Sequence, residues 1–71
     1  MKTGNLKGRL VQYHGHQDYV VYGIILTEPR WHEKYRRDAV HVYWMDDSSY
    51  TFEYATNLLE PDDKVMSLVP Q

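Results

Sequence analysis

Cysteine is absent from the chain, so no disulfide staple is possible and oxidative secretion is neither required nor exploited. Long apolar runs are missing too. The opening residues Met1-Lys2-Thr3-Gly4-Asn5 lead into nothing long enough for a signal peptide or a membrane span, and a soluble cytoplasmic protein is the expectation. There is no Gly-rich phosphate loop, no G-x-S-x-G and no H-E-x-x-H, which removes the commonest signatures of nucleotide and hydrolytic chemistry. An excess of positive charge is lacking as well: the formal net charge is −2, which argues against a wholesale nucleic-acid coat. No internal repeat, low-complexity tract or linker interrupts the 71 residues, so a single domain over 1–71 is expected.

What is present is apolar and aromatic. The chain is 42% hydrophobic and 14% aromatic, too apolar for a disordered tail. A chain of this mass buries about 60% of its unfolded surface on folding, enough for a small and marginal core.

The apolar residues alternate with a period near two. Ala39-Val40-His41-Val42-Tyr43-Trp44-Met45 places Val40, Val42 and Trp44 on one face, and Ser49-Tyr50-Thr51-Phe52-Glu53-Tyr54 has one wholly aromatic face and one polar face. Alternation with β-branched and aromatic enrichment marks half-buried strands. Tyr19 to Leu26 is more continuously apolar and broken only by Gly23, as a strongly bent central strand would be. Shorter alternating runs at Leu6 to Tyr13 and Lys64 to Val69 complete five candidate strands, with no convincing helix.

Connections follow from the turn-forming residues. His14-Gly15-His16-Gln17-Asp18 forms a first loop, Pro29 ends the second strand, and Arg30 to Asp38 is the longest loop. Asp46-Asp47-Ser48-Ser49 is a tight hairpin turn, and Ala55 to Asp63 crosses over with one short 3₁₀ turn closed by Glu60-Pro61-Asp62. An open sheet this small leaves edges unpaired, so closure into an all-β, five-stranded SH3-like barrel is expected. Its expected core is Leu10, Val21 or Val20, Ile24, Leu26, Val40, Val42, Trp44, Leu58 and Val69, with the faces of the second strand open to a one-residue slip.

Gly8-x-Leu10-Val11, Tyr22-Gly23-Ile24-Ile25-Leu26, Val40-x-Val42-x-Trp44-x-Asp46-x-Ser48 and Glu53-Tyr54-x-x-x-Leu58 together resemble a group of small proteins encoded by tailed phages, including phages of cyanobacteria. More broadly the layout is similar to Tudor-, KOW- and SH3-like barrels. The resemblance covers roughly residues 8 to 69, and its motifs are structural, so it implies a fold far more than an activity. It implies a phage origin, and with it a place in the host cytoplasm or the virion. The chain departs from the pattern at Asp47, where Gly would be usual; a longer type I-based turn through Ser48 and Ser49 accommodates Asp instead. The 30–37 segment is also longer than the pattern, and there the chain's individuality should sit.

Charge is divided along the chain. Residues 1–38 hold seven basic and four acidic side chains, a balance of +3; residues 39–71 hold one basic and six acidic, a balance of −5. Arg30, Lys34, Arg36 and Arg37 fall within eight residues, interleaved with Trp31, His32 and Tyr35. Cations among aromatics suit a protein interface, where Trp, Tyr and Arg carry much of the binding energy. They also suit nucleic acid, by neutralising phosphates and stacking on bases, although the nearby acids weaken that field. The bland alternative is a solvated loop with Trp31 capping one barrel end. The partner-binding residues are therefore read as Arg30, Trp31, Lys34, Tyr35, Arg36 and Arg37.

Seven tyrosines exceed what so small a core needs, so several must reach the surface, where they offer large contact area. An aromatic cage for a methylated cation would need three or four rings converging on an acid. His14 and His16 form an H-x-H pair, but two ligands are too few for a closed zinc site, and no metal is expected. Asp46-Asp47 and Asp62-Asp63 sit in polar turns, where Asp hydrogen-bonds its local backbone. No catalytic residue or cofactor is expected.

The reading is thus a non-enzymatic, phage-encoded interaction module that docks another protein, a virion component or a host factor. A KOW-like nucleic-acid accessory and a self-associating structural barrel are the alternatives. The core assignment has a direct check: Trp44→Ala should lower the unfolding free energy by about 3–5 kcal/mol in a denaturant melt, a large fraction of a small domain's stability.

Overall fold

A computed structural model describes residues 6–15, 19–59 and 65–70. Strands β1 (Leu10–His14), β2 (Val20–Ile25), β3 (Arg30–His32), β4 (Arg37–Trp44) and β5 (Ser49–Tyr54) are followed by a helix, α1 (Ala55–Leu59), and a last strand, β6 (Met66–Leu68). All pairings are antiparallel and belong to one sheet, which curls into an open half-barrel.

Strand β4 is the axis. Along one edge it pairs with β5 from Ala39↔Tyr54 to Trp44↔Ser49. Along the other it carries β3 at its start, Arg30↔Ala39 to His32↔Arg37, and β2 at its end, Gly23↔Trp44 to Ile25↔Val42. Between β2 and β3 the chain stays tied to β4, with Leu26 N–H donating to the His41 carbonyl (2.7 Å) and His41 N–H to Thr27 Oγ1 (3.2 Å). β2 and β3 therefore run as one bent strand with a break at residues 26–29. β1 pairs with β2 and, on its far edge, with β6.

Among the connections, expectation and structure differ in three places. The segment read as a loop over Arg30 to Asp38 is a β-hairpin, because β-branched and aromatic spacing is not required for a short strand that a long neighbour templates. Pro29 does not end the second strand but precedes β3; the missing N–H falls outside the ladder. The turn before the last strand is one α-helical turn rather than 3₁₀, since Ala55 and Leu58, three residues apart, both bury against the sheet. The expected closure at Glu60-Pro61-Asp62, the Asp62-Asp63 pair and His16 lie outside the described residues.

The core unites Leu6, Val11, Ile25, Val40, Val42, Trp44 and Leu58, with Val21, Met66 and Leu68 packed against it. Val40, Val42, Trp44 and Leu58 are where the pattern puts them. Leu10, Ile24, Leu26 and Val69 are not: Leu10 is 41% exposed and the other three are only half-buried, while Val11, Ile25 and Leu68 take their places. The slip has one cause. Gly23 opposes Trp44 on the inner face, so Val21 and Ile25 also point inward; Val11 then faces Gly23, and Leu68 faces Val11. Cross-strand partners share a face, so one register propagates across four strands.

Gly23 is required by that contact. A Cβ there would lie 2.8 Å from Trp44 Cε3, 2.8 Å from Val42 Cγ1 and 2.9 Å from the Tyr43 carbonyl oxygen. Two of these groups are core side chains and the third is backbone, so none yields cheaply. Gly23→Ala should destabilise the fold by about 3 kcal/mol, the upper end for overpacking, with a lowered thermal midpoint as the measurement.

Candidate interaction site

β3 and β4 are joined by Glu33-Lys34-Tyr35-Arg36, a four-residue turn in which Arg36 takes positive φ (56°) and donates its N–H to the His32 carbonyl (2.7 Å). The turn from β4 to β5, Met45 to Ser48, repeats the device: Ser48 has φ of 57°, and Asp47 Oδ1 accepts the Ser49 N–H (3.1 Å). Both are compact turns whose final residue adopts the left-handed region. Asp47 thus stands where a side-chain acceptor is useful, and positive φ falls on the next residue.

The six residues singled out in the sequence are all exposed, on an ordered hairpin and not a loop. Arg30 opens β3 on the outer face. Trp31 lies on the opposite face beside Asp38 and is 65% exposed, so it caps nothing. It shares with Arg36, Arg37, Asp38 and Thr56 a shallow concavity of about 440 Å³. Lys34 stands at the turn. Tyr35 folds back, stacking on His32 (4.4 Å between centroids, 25°) and meeting Tyr54 edge-on (5.7 Å). The Arg37 guanidinium sits 4.4 Å from the Tyr54 ring centroid, a cation–π contact.

Behind this hairpin the outer face of β4 and β5 is a continuous aromatic row. Tyr43 meets Tyr50 (5.1 Å), Tyr50 meets His41 (5.6 Å), and His41 stacks on Phe52 (4.5 Å, 12°). Phe52 in turn meets His32 edge-on (4.6 Å). His32 is thus held between two rings, with its Nδ1 buried and lacking a hydrogen-bond partner. The alternation in β5 disclosed an aromatic face but not its direction. The structure turns it outward, as cross-strand pairs with Tyr43 and His41, and gives the inner face to Ser49, Thr51 and Glu53. A reason is visible in Trp44: its buried indole N–H needs an acceptor and donates to Thr51 Oγ1 (2.7 Å), whose hydroxyl donates to Glu53 Oε2 (2.7 Å).

The opposite end of β4 is acidic. Asp46 and Asp47 follow Trp44, and Asp46 Oδ2 accepts the Tyr19 hydroxyl (2.9 Å). That hydrogen bond, and the Asp46 charge beside it, hold the Tyr19 phenol above its ordinary pKa. Tyr13, on the inner face of β1, meets Trp44 edge-on (6.5 Å, 74°). Basic and acidic ends are separated by the length of β4, roughly 23 Å at ~3.3 Å per residue.

Comparison with known proteins yields no match: no family model, no curated protein and no solved structure is similar to the chain.

The Tyr19–Asp46 contact makes a checkable statement. A phenol whose pKa is raised on folding adds stability that is present below its unfolded pKa and lost as pH rises through the folded value. Alkaline titration followed by tyrosinate absorbance should therefore show one phenol ionising late, and Asp46→Asn should move it back toward the ordinary range.

Proposed function

We propose that this protein is a non-enzymatic interaction module that docks another protein through the β3–β4 hairpin. The observation that carries the reading is Trp31: a large apolar side chain left 65% exposed on an ordered element, beside Arg36 and Arg37 in one concavity. An exposed indole flanked by guanidinium groups is the composition of an interface hot spot. The partner surface is acidic or apolar, with a slot for the indole and carboxylates for the flanking cations. Pre-ordering of the hairpin by the Arg36 turn and the Tyr35–Tyr54–Arg37 contacts lowers the entropic cost of docking.

The SH3-like reading is part of the same proposal. The order β6-β1-β2-β4-β5, with β3 continuing β2 and one helical turn before the last strand, supports it. The phage origin, and a virion component or host factor as partner, follow from the sequence resemblance alone. Nucleic acid is the less favoured partner, because the chain's net charge is −2 and its acidic side chains weaken the field of the hairpin's cations.

The test is capture from infected and uninfected host lysate at moderate salt, with and without nuclease. A discrete protein that survives nuclease and is lost with the Trp31→Ala/Arg36→Ala double variant, while the variant melts like the wild type, is the expected result. Undiminished capture by the double variant would remove the hairpin from the interface. Capture that vanishes with nuclease would transfer the surface to nucleic acid, whose binding falls steeply with salt.

A further inference from the structure

The half-barrel leaves a second concavity at the far end of β4, independent of the hairpin. Tyr13, Tyr19, Trp44, Asp46, Asp47 and Glu53 line an open groove of about 380 Å³. Its walls are rings and its rim is carboxylates. Among the described residues, no lysine or arginine lines it. Each carboxylate has one oxygen engaged by a neutral donor: Asp46 by the Tyr19 hydroxyl, Asp47 by the Ser49 N–H and Glu53 by the Thr51 hydroxyl. Among the described residues none of the three is paired with a cation, so their charge stands uncompensated over aromatic surface.

That combination selects its ligand by exclusion. Anions, phosphates included, are repelled by three carboxylates along the rim. A bare divalent cation asks for six or more oxygen ligands and gains little from rings. An organic cation gains from both, through Coulomb attraction to the rim and through the negative faces of Tyr and Trp. The groove is too open to enclose a free small molecule, which would stay largely hydrated, whereas a side chain anchored on a polypeptide needs only a slot. We propose that this groove receives a cationic side chain, an ammonium or guanidinium, carried on a basic segment of a partner polypeptide.

Asp46 and Asp47 supply the attraction and Tyr13 the ring at the mouth, while Trp44 forms the floor, fixed by its bond to Thr51. The occupant's stem lies along Val21 and Met66, which line the apolar side.

The test is a titration with a short peptide in which lysine and arginine alternate with glycine, followed by amide chemical shifts and Trp fluorescence. A counterpart with glutamine at the basic positions serves as control. Saturable shifts confined to Tyr13, Tyr19, Trp44 and the 45–48 turn are expected, weakening with salt and absent with the glutamine peptide. Asp46→Asn/Asp47→Asn should weaken binding about tenfold through loss of two charges at the rim. Each asparagine keeps one acceptor oxygen, which is all that the Tyr19 hydroxyl and the Ser49 N–H use, so this variant should fold. Tyr13→Leu, on a partly exposed site, separately removes the ring. Full affinity in either variant, equal binding of the glutamine peptide, or no shift at millimolar peptide would overturn the assignment. Concentration-dependent association of the protein itself, lost with Arg36→Glu, would support it with the chain's own hairpin as the basic segment. Neither groove variant touches Trp31 or Arg36, so failure here leaves capture through the hairpin unaffected.

Discussion

Trp44 lies against a residue with no side chain, and the rest of the sheet depends on that contact. Gly23 allows β2 to approach β4 closely enough for the indole and Val42 to cover it, where any Cβ would collide with them and with the Tyr43 carbonyl. The sheet curls around this point. Because Gly23 also opposes Val11, and Val11 opposes Leu68, one close approach sets which face of β1, β2 and β6 is inside. The indole then decides the neighbouring strand: its N–H needs a buried acceptor, Thr51 provides it, and the aromatic side of β5 must therefore turn outward.

The two candidate surfaces lie at the two ends of the same strand. At its start β4 carries Arg37 and the basic hairpin; at its end it delivers Trp44 into a mouth rimmed by Asp46 and Asp47. The outer aromatic row runs along the strand from one end toward the other, each ring packed on the next, and so stiffens the hairpin. Both turns end on a non-glycine residue in the left-handed region, Arg36 and Ser48, so the turns are held by their hydrogen bonds and by pairing of the flanking strands more than by local preference.

Much of this was legible in the residues, and the failures have physical causes. The period of two gave β4 and its inward face because Val40, Val42 and Trp44 contrast sharply with their neighbours. In β2 every residue but Gly23 is apolar or Tyr, so alternation carries no phase; the phase comes from a contact between strands, Gly23 on Trp44, which local sequence does not reveal. β3 was read as loop because Arg-Trp-His has no strand signature; it is a strand because β4 extends past β2 and offers it an edge. The basic and aromatic cluster was visible as neighbours in sequence. Its connection to Phe52 and Tyr54 was not, since it arises across strands. The groove was invisible for the same reason: Tyr13, Trp44 and Glu53 come from three strands.

The last strand gives the molecule a weak seam. β6 has three residues, pairs among the described residues only with β1, and makes its ladder with partners some 55 positions away in the chain. Every other ladder joins residues at most 21 positions apart, so closing β6 carries the largest loop-closure cost. Paired on one edge among the described residues, β6 is the strand whose local opening should cost least, whereas β4 is held on both edges. Met66 forms part of the groove's apolar wall. A ligand in the groove would therefore also latch the seam, and its occupancy would register as slower hydrogen exchange in the final strand.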